Sequence, residues 1–111
     1  MYQLTFAIVL LVITNLRALE QGKEVHGEIN RSGFQQNVFV GSVLVDMYVK
    51  CGSMEDAQEV FEKMLERDAV TWTTIMAGYV QIEHLGEALK LFSEKLVLGM
   101  RLDWAYSPLL F

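Results

Sequence analysis

Few residues in this 111-residue sequence carry side chains suited to chemistry. There are two histidines, His26 and His84, and a single cysteine, Cys51. One cysteine makes no internal disulfide, and these three residues lie too far apart for zinc-ligand spacing. His26-Gly27-Glu28 matches the short half of a zinc nucleobase deaminase signature, but no Cys-x-x-Cys follows it within these residues. Neither a metal site, nor a cofactor, nor a catalytic residue is expected. The remaining polar chemistry consists of hydroxyls and carboxylates beside apolar residues: Phe39 with Ser42, Asp68 with Val70, Thr73, and Asp103. Such groups do not form a nucleophile and base. They can bind, provided that the elements around them hold them in one place.

Composition limits those elements. The chain is 52% hydrophobic with one proline, which excludes a disordered linker, and its length suits one domain or one piece of an array. The net charge of −5 gives no electrostatic argument for nucleic acid. An apolar run, Phe6 to Ile13, is too short to span a bilayer and has no basic flank before it. A buried helix over residues 5–15 is the expectation, with no membrane role.

Helical periodicity continues down the chain. Leu19 to Ser32 places Leu19, Gly22, Val25, His26 and Ile29 on one face, and Gly33 marks its end. From Val38 to Asp68, two amphipathic patterns flank the turn Lys50-Cys51-Gly52-Ser53. Ser53 is placed to cap the second helix, in a near capping box with Asp56. Thr71 to Gln81 and Leu85 to Leu98 repeat the arrangement, with Gly99 as the expected stop. A shift of 31 residues brings Tyr48 onto Tyr79, Ala57 onto Ala88 and Phe61 onto Phe92. Each Ala-x3-Phe pair would let helices approach at the alanine and fill the gap with the phenyl. Two three-turn helices cannot bury their apolar faces alone, so a hairpin repeated at this period predicts an all-α solenoid of helix-turn-helix repeats.

Tetratricopeptide and pentatricopeptide repeats share this period and the Ala-x3-Phe pair. Leu44-Val45-Asp46-Met47-Tyr48-Val49-Lys50-Cys51-Gly52, Val60-Phe61-Glu62-Lys63-Met64 and Glu66-Arg67-Asp68-Ala69-Val70-Thr71-Trp72 closely resemble plant pentatricopeptide repeat proteins with mixed repeat lengths. Leu19-Glu20-Gln21-Gly22-Lys23-Glu24-Val25-His26-Gly27 and Arg31-Ser32-Gly33-Phe34 resemble the long repeat of that class. The resemblance divides the chain into a long repeat at 3–37, a short one at 38–68, a standard one at 69–103 and the start of another at 104–111.

The resemblance implies a right-handed α-solenoid that binds single-stranded RNA along its first helices, at about one base per repeat. A polar residue one turn into each first helix reads the base edge together with the last residue of the repeat. The implied pairs are Ser42 with Asp68, Thr73 with Asp103, and Ala7 with Asn37, where the hydroxyl is missing. Hydroxyl–Asp pairs lean towards guanine in the family. Leu4, Phe39 and Val70 would sandwich bases, and Lys50 would meet phosphate, with Gln81 at its counterpart. Other processing or editing proteins are implied partners, and a mitochondrion or chloroplast the implied location, although no transit peptide is visible. Leu102 where the family has proline, and the stop at Phe111, lead to the expectation of a fragment or decaying gene product. The alternative is a protein-interaction solenoid whose apolar surface at Phe6–Ile13 and at Tyr106–Phe111 docks another chain, with self-association through its uncapped ends.

Overall fold

The computed structural model describes the backbone of residues 2–106 and the side chains of residues 2–97. Six helices follow one another: α1 (Tyr2–Leu16), α2 (Leu19–Arg31), α3 (Val38–Lys50), α4 (Met54–Lys63), α5 (Ala69–Gln81) and α6 (Leu85–Tyr106). They form three antiparallel hairpins. The first helices make one layer, with α1 packed on α3 and α3 on α5. Each second helix of the first two hairpins also touches the first helix of the next, as α2 does with α3 and α4 with α5. The molecule is therefore an all-α helical-hairpin solenoid.

The repeat is written into the backbone as well as the sequence. Left-handed φ values occur at Arg17 (55°), Gly52 (83°) and Glu83 (61°), each in the turn between the two helices of its hairpin. These three positions are 35 and 31 residues apart, so the same turn recurs in register. Glycine adopts this conformation without steric cost, but only the middle hairpin has it there. In the first hairpin Arg17 offsets some of the strain by donating from Nη1 to the Thr14 carbonyl at 2.6 Å.

The core follows the amphipathic stripes. Ala7, Leu10, Ile13 and Thr14 form the buried stripe of α1, and the Thr14 hydroxyl is satisfied by the Leu10 carbonyl at 2.7 Å. Ile8, Val9, Leu11 and Val12 on the other side of α1 are exposed, so the expected buried helix is buried on one face only. Tyr48, Phe61, Met47, Ile29 and Ile75 fill the centre. Two phenols tie neighbouring hairpins together. Tyr48 Oη shares a 2.7 Å hydrogen bond with His26 Nδ1 on α2, and Tyr79 Oη donates to Gln58 Oε1 on α4 at 2.7 Å. Arg67 closes α4: its guanidinium lies 4.2 Å from the Phe61 ring centre while Nε donates to the Phe61 carbonyl at 2.9 Å. Trp72 meets the same phenyl edge-to-face at 4.8 Å.

Three local expectations need correction. Ser53 begins α4, but its hydroxyl donates to Asp56 Oδ2 at 2.5 Å and caps no backbone N–H, so the capping box does not form. The Ala-x3-Phe pairs are not equivalent. Phe61 is 2% exposed but Phe92 is 52% exposed, because among the described residues no further helix packs over α6 as α5 packs over α4. Finally, α6 does not stop at Gly99 but continues to Tyr106. A lone glycine costs a helix only about 1 kcal/mol, too little to end it without a competing capping structure.

Candidate nucleic-acid interface

The first-helix layer presents a groove of about 370 Å³ lined by Leu11, Phe39, Ser42, Val43, Asp46, Asp68, Val70 and Thr74. Helical geometry accounts for this set. Phe39, Ser42, Val43 and Asp46 stand at i, i+3, i+4 and i+7 along α3, and Val70 and Thr74 at i and i+4 on α5, so each set shares one helix face. Leu11 reaches it from α1. Phe39 and Val70 are 45% and 62% exposed, so neither serves the core, and they stand at the starts of neighbouring first helices. The half-buried Ser42 and the carboxylate of Asp68 line the same groove.

Asp68 is held firmly. It is the N-cap of α5, where Oδ1 accepts from the Thr71 backbone N–H at 2.9 Å and from the Thr71 hydroxyl at 2.7 Å. That leaves Oδ2 without a hydrogen-bond partner among the described residues. Ser42 likewise keeps its hydroxyl available. The groove lining thus combines a fixed anionic acceptor and a rotatable donor–acceptor hydroxyl with an aromatic ring and a branched aliphatic chain. A flat heterocycle carrying N–H donors on one edge fits that description.

The other candidate residues are placed less favourably. Ala7 is 2% exposed inside the α1–α3 contact, so its side chain is not at the groove surface, contrary to a role in base contact. Asn37, its expected partner, caps α3 by accepting from the Val40 N–H at 3.0 Å, and its Nδ2 donates to Gln3 Oε1 at 2.9 Å. Leu4 is exposed on α1 and is not part of this groove's lining. Thr73 is exposed on α5. The side chain of Asp103 lies outside the described residues, and its backbone is within α6, not at the start of a new helix. Lys50 is exposed at the end of α3, with Nζ 3.3 Å from Asp46 Oδ2. Among the described residues, Ser42 and Asp68 are the expected pair that lines a common groove.

Thr71, Thr74, Asp46 and Val43 were not evident as site residues from sequence. Thr71 had a readable signal, since Asp-x-x-Thr at a helix start suits a cap with a second hydrogen bond. The others follow only from the one-turn spacing along α3 and α5.

His26 and Glu28 do not converge. His26 is half-buried against Tyr48, while Glu28 lies exposed and pairs with Arg31 at 2.7 Å. Burial lowers the His26 pKa, against the opposing pull of Glu59 and Asp56, with Lys63 adding to the lowering. Burial also pushes the Tyr48 phenol up to about 12, reinforced by Asp56 and Glu59. A neutral imidazole beside a protonated phenol is a structural pair.

Comparison with known proteins now adds to the geometry. The family model described as PPR repeat matches residues 42–68 and 70–100. The chain belongs to the pentatricopeptide repeat family. A mitochondrial pentatricopeptide repeat-containing protein of Arabidopsis thaliana is 44% identical over 91% of this chain but only 10% of its own length. A chloroplastic one from the same plant is 43% identical over 88% of this chain and 12% of its own. A second mitochondrial one is 44% identical over 86% and 14%, respectively. The chain therefore spans about a tenth to a seventh of the length of these relatives. The matched repeats begin at Ser42 and Val70, two of the residues that line the groove. No helix among the described residues is long and apolar enough to cross a membrane.

Proposed function

We propose that this chain is a binding module for single-stranded RNA that holds one base between Phe39 and Val70 and reads its edge with Ser42 and Asp68. The observation that carries the reading is the unpartnered Oδ2 of Asp68, fixed by its capping role at the mouth of an apolar slot. A carboxylate accepts and cannot donate, which favours a base edge with two N–H donors, and guanine has one. The repeat lengths support membership of the mixed long, short and standard class. The plant relatives, named as mitochondrial or chloroplastic, support a role in organellar RNA processing or editing. Binding without catalysis is the role supported, since His26 is committed to Tyr48 and Glu28 to Arg31.

Base stacking contributes roughly 1–3 kcal/mol per base, so one equipped position on its own binds only at about 10–200 mM. A net charge of −5 does not add to it. Titration of the ¹⁵N-labelled protein with RNA hexamers differing by one guanine tests the reading. The guanine oligomer should bind about three- to tenfold tighter, and Ser42→Ala or Asp68→Asn should bring the two together. Asparagine keeps the cap but replaces one acceptor oxygen with a donor, so lost preference would not reflect lost folding. Equal binding of both oligomers to the unmodified protein would refute base reading.

A protein-docking role has its own supporting observation. Leu4, Ile8, Leu11 and Val12 on α1, and Leu85, Leu89 and Phe92 on α6, expose apolar surface at the two ends. Self-association through these ends would appear as concentration-dependent sedimentation, and a constant monomeric value would rule it out.

A further inference from the structure

Asp46 is a groove residue to which the base-reading scheme gives no role. It lies one turn beyond Ser42 on α3, lines the groove, and its carboxylate is 3.3 Å from the Lys50 ammonium. The side chain of Asp46 is 26% exposed and that of Lys50 is 52% exposed, so the carboxylate is the more buried partner and the ammonium the more open to solvent. The counterparts of Asp46 in the other two hairpins are Leu11 and Ala77, and those of Lys50 are Asn15 and Gln81. Cation and counter-anion therefore occur together in the middle hairpin and in neither neighbour. Asp46 is not needed for the helix: it stands in the interior of α3, away from both caps.

We propose that Asp46 is a positioning residue that holds the Lys50 ammonium at the groove rim and neutralises it until a phosphate displaces the carboxylate. This rests on the RNA-binding reading above and names the phosphate-side control of the same site. In the free protein the pair leaves the rim without net positive charge, so an RNA backbone is not attracted there on charge alone. A base seated between Phe39 and Val70 brings its phosphate within competition for Lys50, and the surface pair is weak enough to exchange. Asp46 therefore lowers affinity for any single strand while leaving the choice of base to Ser42 and Asp68.

The test is an NMR titration of the full chain with the guanine-containing hexamer and its guanine-free counterpart, at low and physiological salt. Asp46→Asn should tighten binding of both oligomers about two- to fivefold at low salt, the range a surface ion pair supports. It should also steepen the fall of log K with log salt by about 0.7, the value for one phosphate neutralised on a single strand. Asp46→Glu, which keeps the anion, should behave as the unmodified protein. In a Lys50→Gln background, Asp46→Asn should have no effect. Tightening that persists without Lys50 would mean general repulsion by Asp46 and would overturn the proposal, as would unchanged or weaker binding by Asp46→Asn. In either case a retained guanine preference would leave the base-reading scheme standing. If neither oligomer shifts any resonance in any of these variants, both fall together.

Discussion

The middle and third hairpins carry the same motif at the same spacing, yet among the described residues they are packed differently. In α3–α4 the turn has glycine at its left-handed position, the phenyl of Phe61 is buried, and the first helix brings Phe39, Ser42 and Asp46 to one face. In α5–α6 the turn has Glu83, Phe92 is half-exposed, and Thr73 stands outside the groove. The difference is not chiefly one of sequence quality. The acidic member of the middle site, Asp68, belongs to the next helix as its N-cap, and one wall, Val70, comes from that same helix. The groove of the middle hairpin therefore takes part of its lining from the hairpin that follows it.

The buried and exposed phenyls test that contrast most strongly. Phe61→Ala should cost about 3–5 kcal/mol, since it opens a cavity beside Trp72 and Arg67. The equivalent Phe92→Ala should stay within about 0.5 kcal/mol, as expected for an exposed position. Urea denaturation of the two variants gives the comparison directly, and equal losses would mean that α6 is covered as α4 is.

The interhelix turns provide the next test. Arg17→Gly and Glu83→Gly should each raise stability by about 0.5–1 kcal/mol, because the left-handed strain outweighs the extra freedom of glycine when unfolded. Gly52→Ala should lower it by a similar amount. Thermal melts of the three variants would sharpen the register shared by the hairpins, since a turn that tolerates alanine is not the same turn.

The pH response should be smaller and confined to the first two hairpins. The folded-state pKa of His26 is lowered, so near its ordinary value of 6.5 the unfolded chain binds more protons than the folded one. Stability is then fully present above 6.5 and falls as the pH drops below it. His26→Gln, which can still meet Tyr48, should flatten the melting temperature between about pH 7.5 and 5.5. An unchanged slope would place the pH response in other groups.

Much of this was legible in the sequence. Periodicity and the 31-residue shift expose the hairpins, because amphipathic stripes are local and repeat. Gly33 and Gly52 mark turns correctly because glycine favours positive φ, whereas Gly99 does not stop α6 because a helix ends only where a cap competes with it. Of the groove lining, Phe39, Ser42, Asp68 and Val70 were legible in the sequence, whereas Leu11, Val43, Asp46 and Thr74 depend on how the first helices pack. Ala7 and Ser42 occupy equivalent places, and whether each faces the groove or the core is decided by packing between first helices. The dual use of Asn37 and Asp68 as helix caps is a local signal, yet its consequence is not: Asn37 spends its amide on Gln3, while Asp68 keeps an oxygen free.

Mapping the bound base on the protein tests the central claim most directly. On addition of the guanine-containing hexamer to ¹⁵N-labelled protein, the amide shifts should concentrate at Phe39, Ser42, Asp68 and Val70. They should be weak around Ala7 and Asn37. Shifts concentrated instead around His26 and Glu59 on the second-helix side, or spread evenly over α1 and α6, would contradict a single assembled site between the middle and third hairpins.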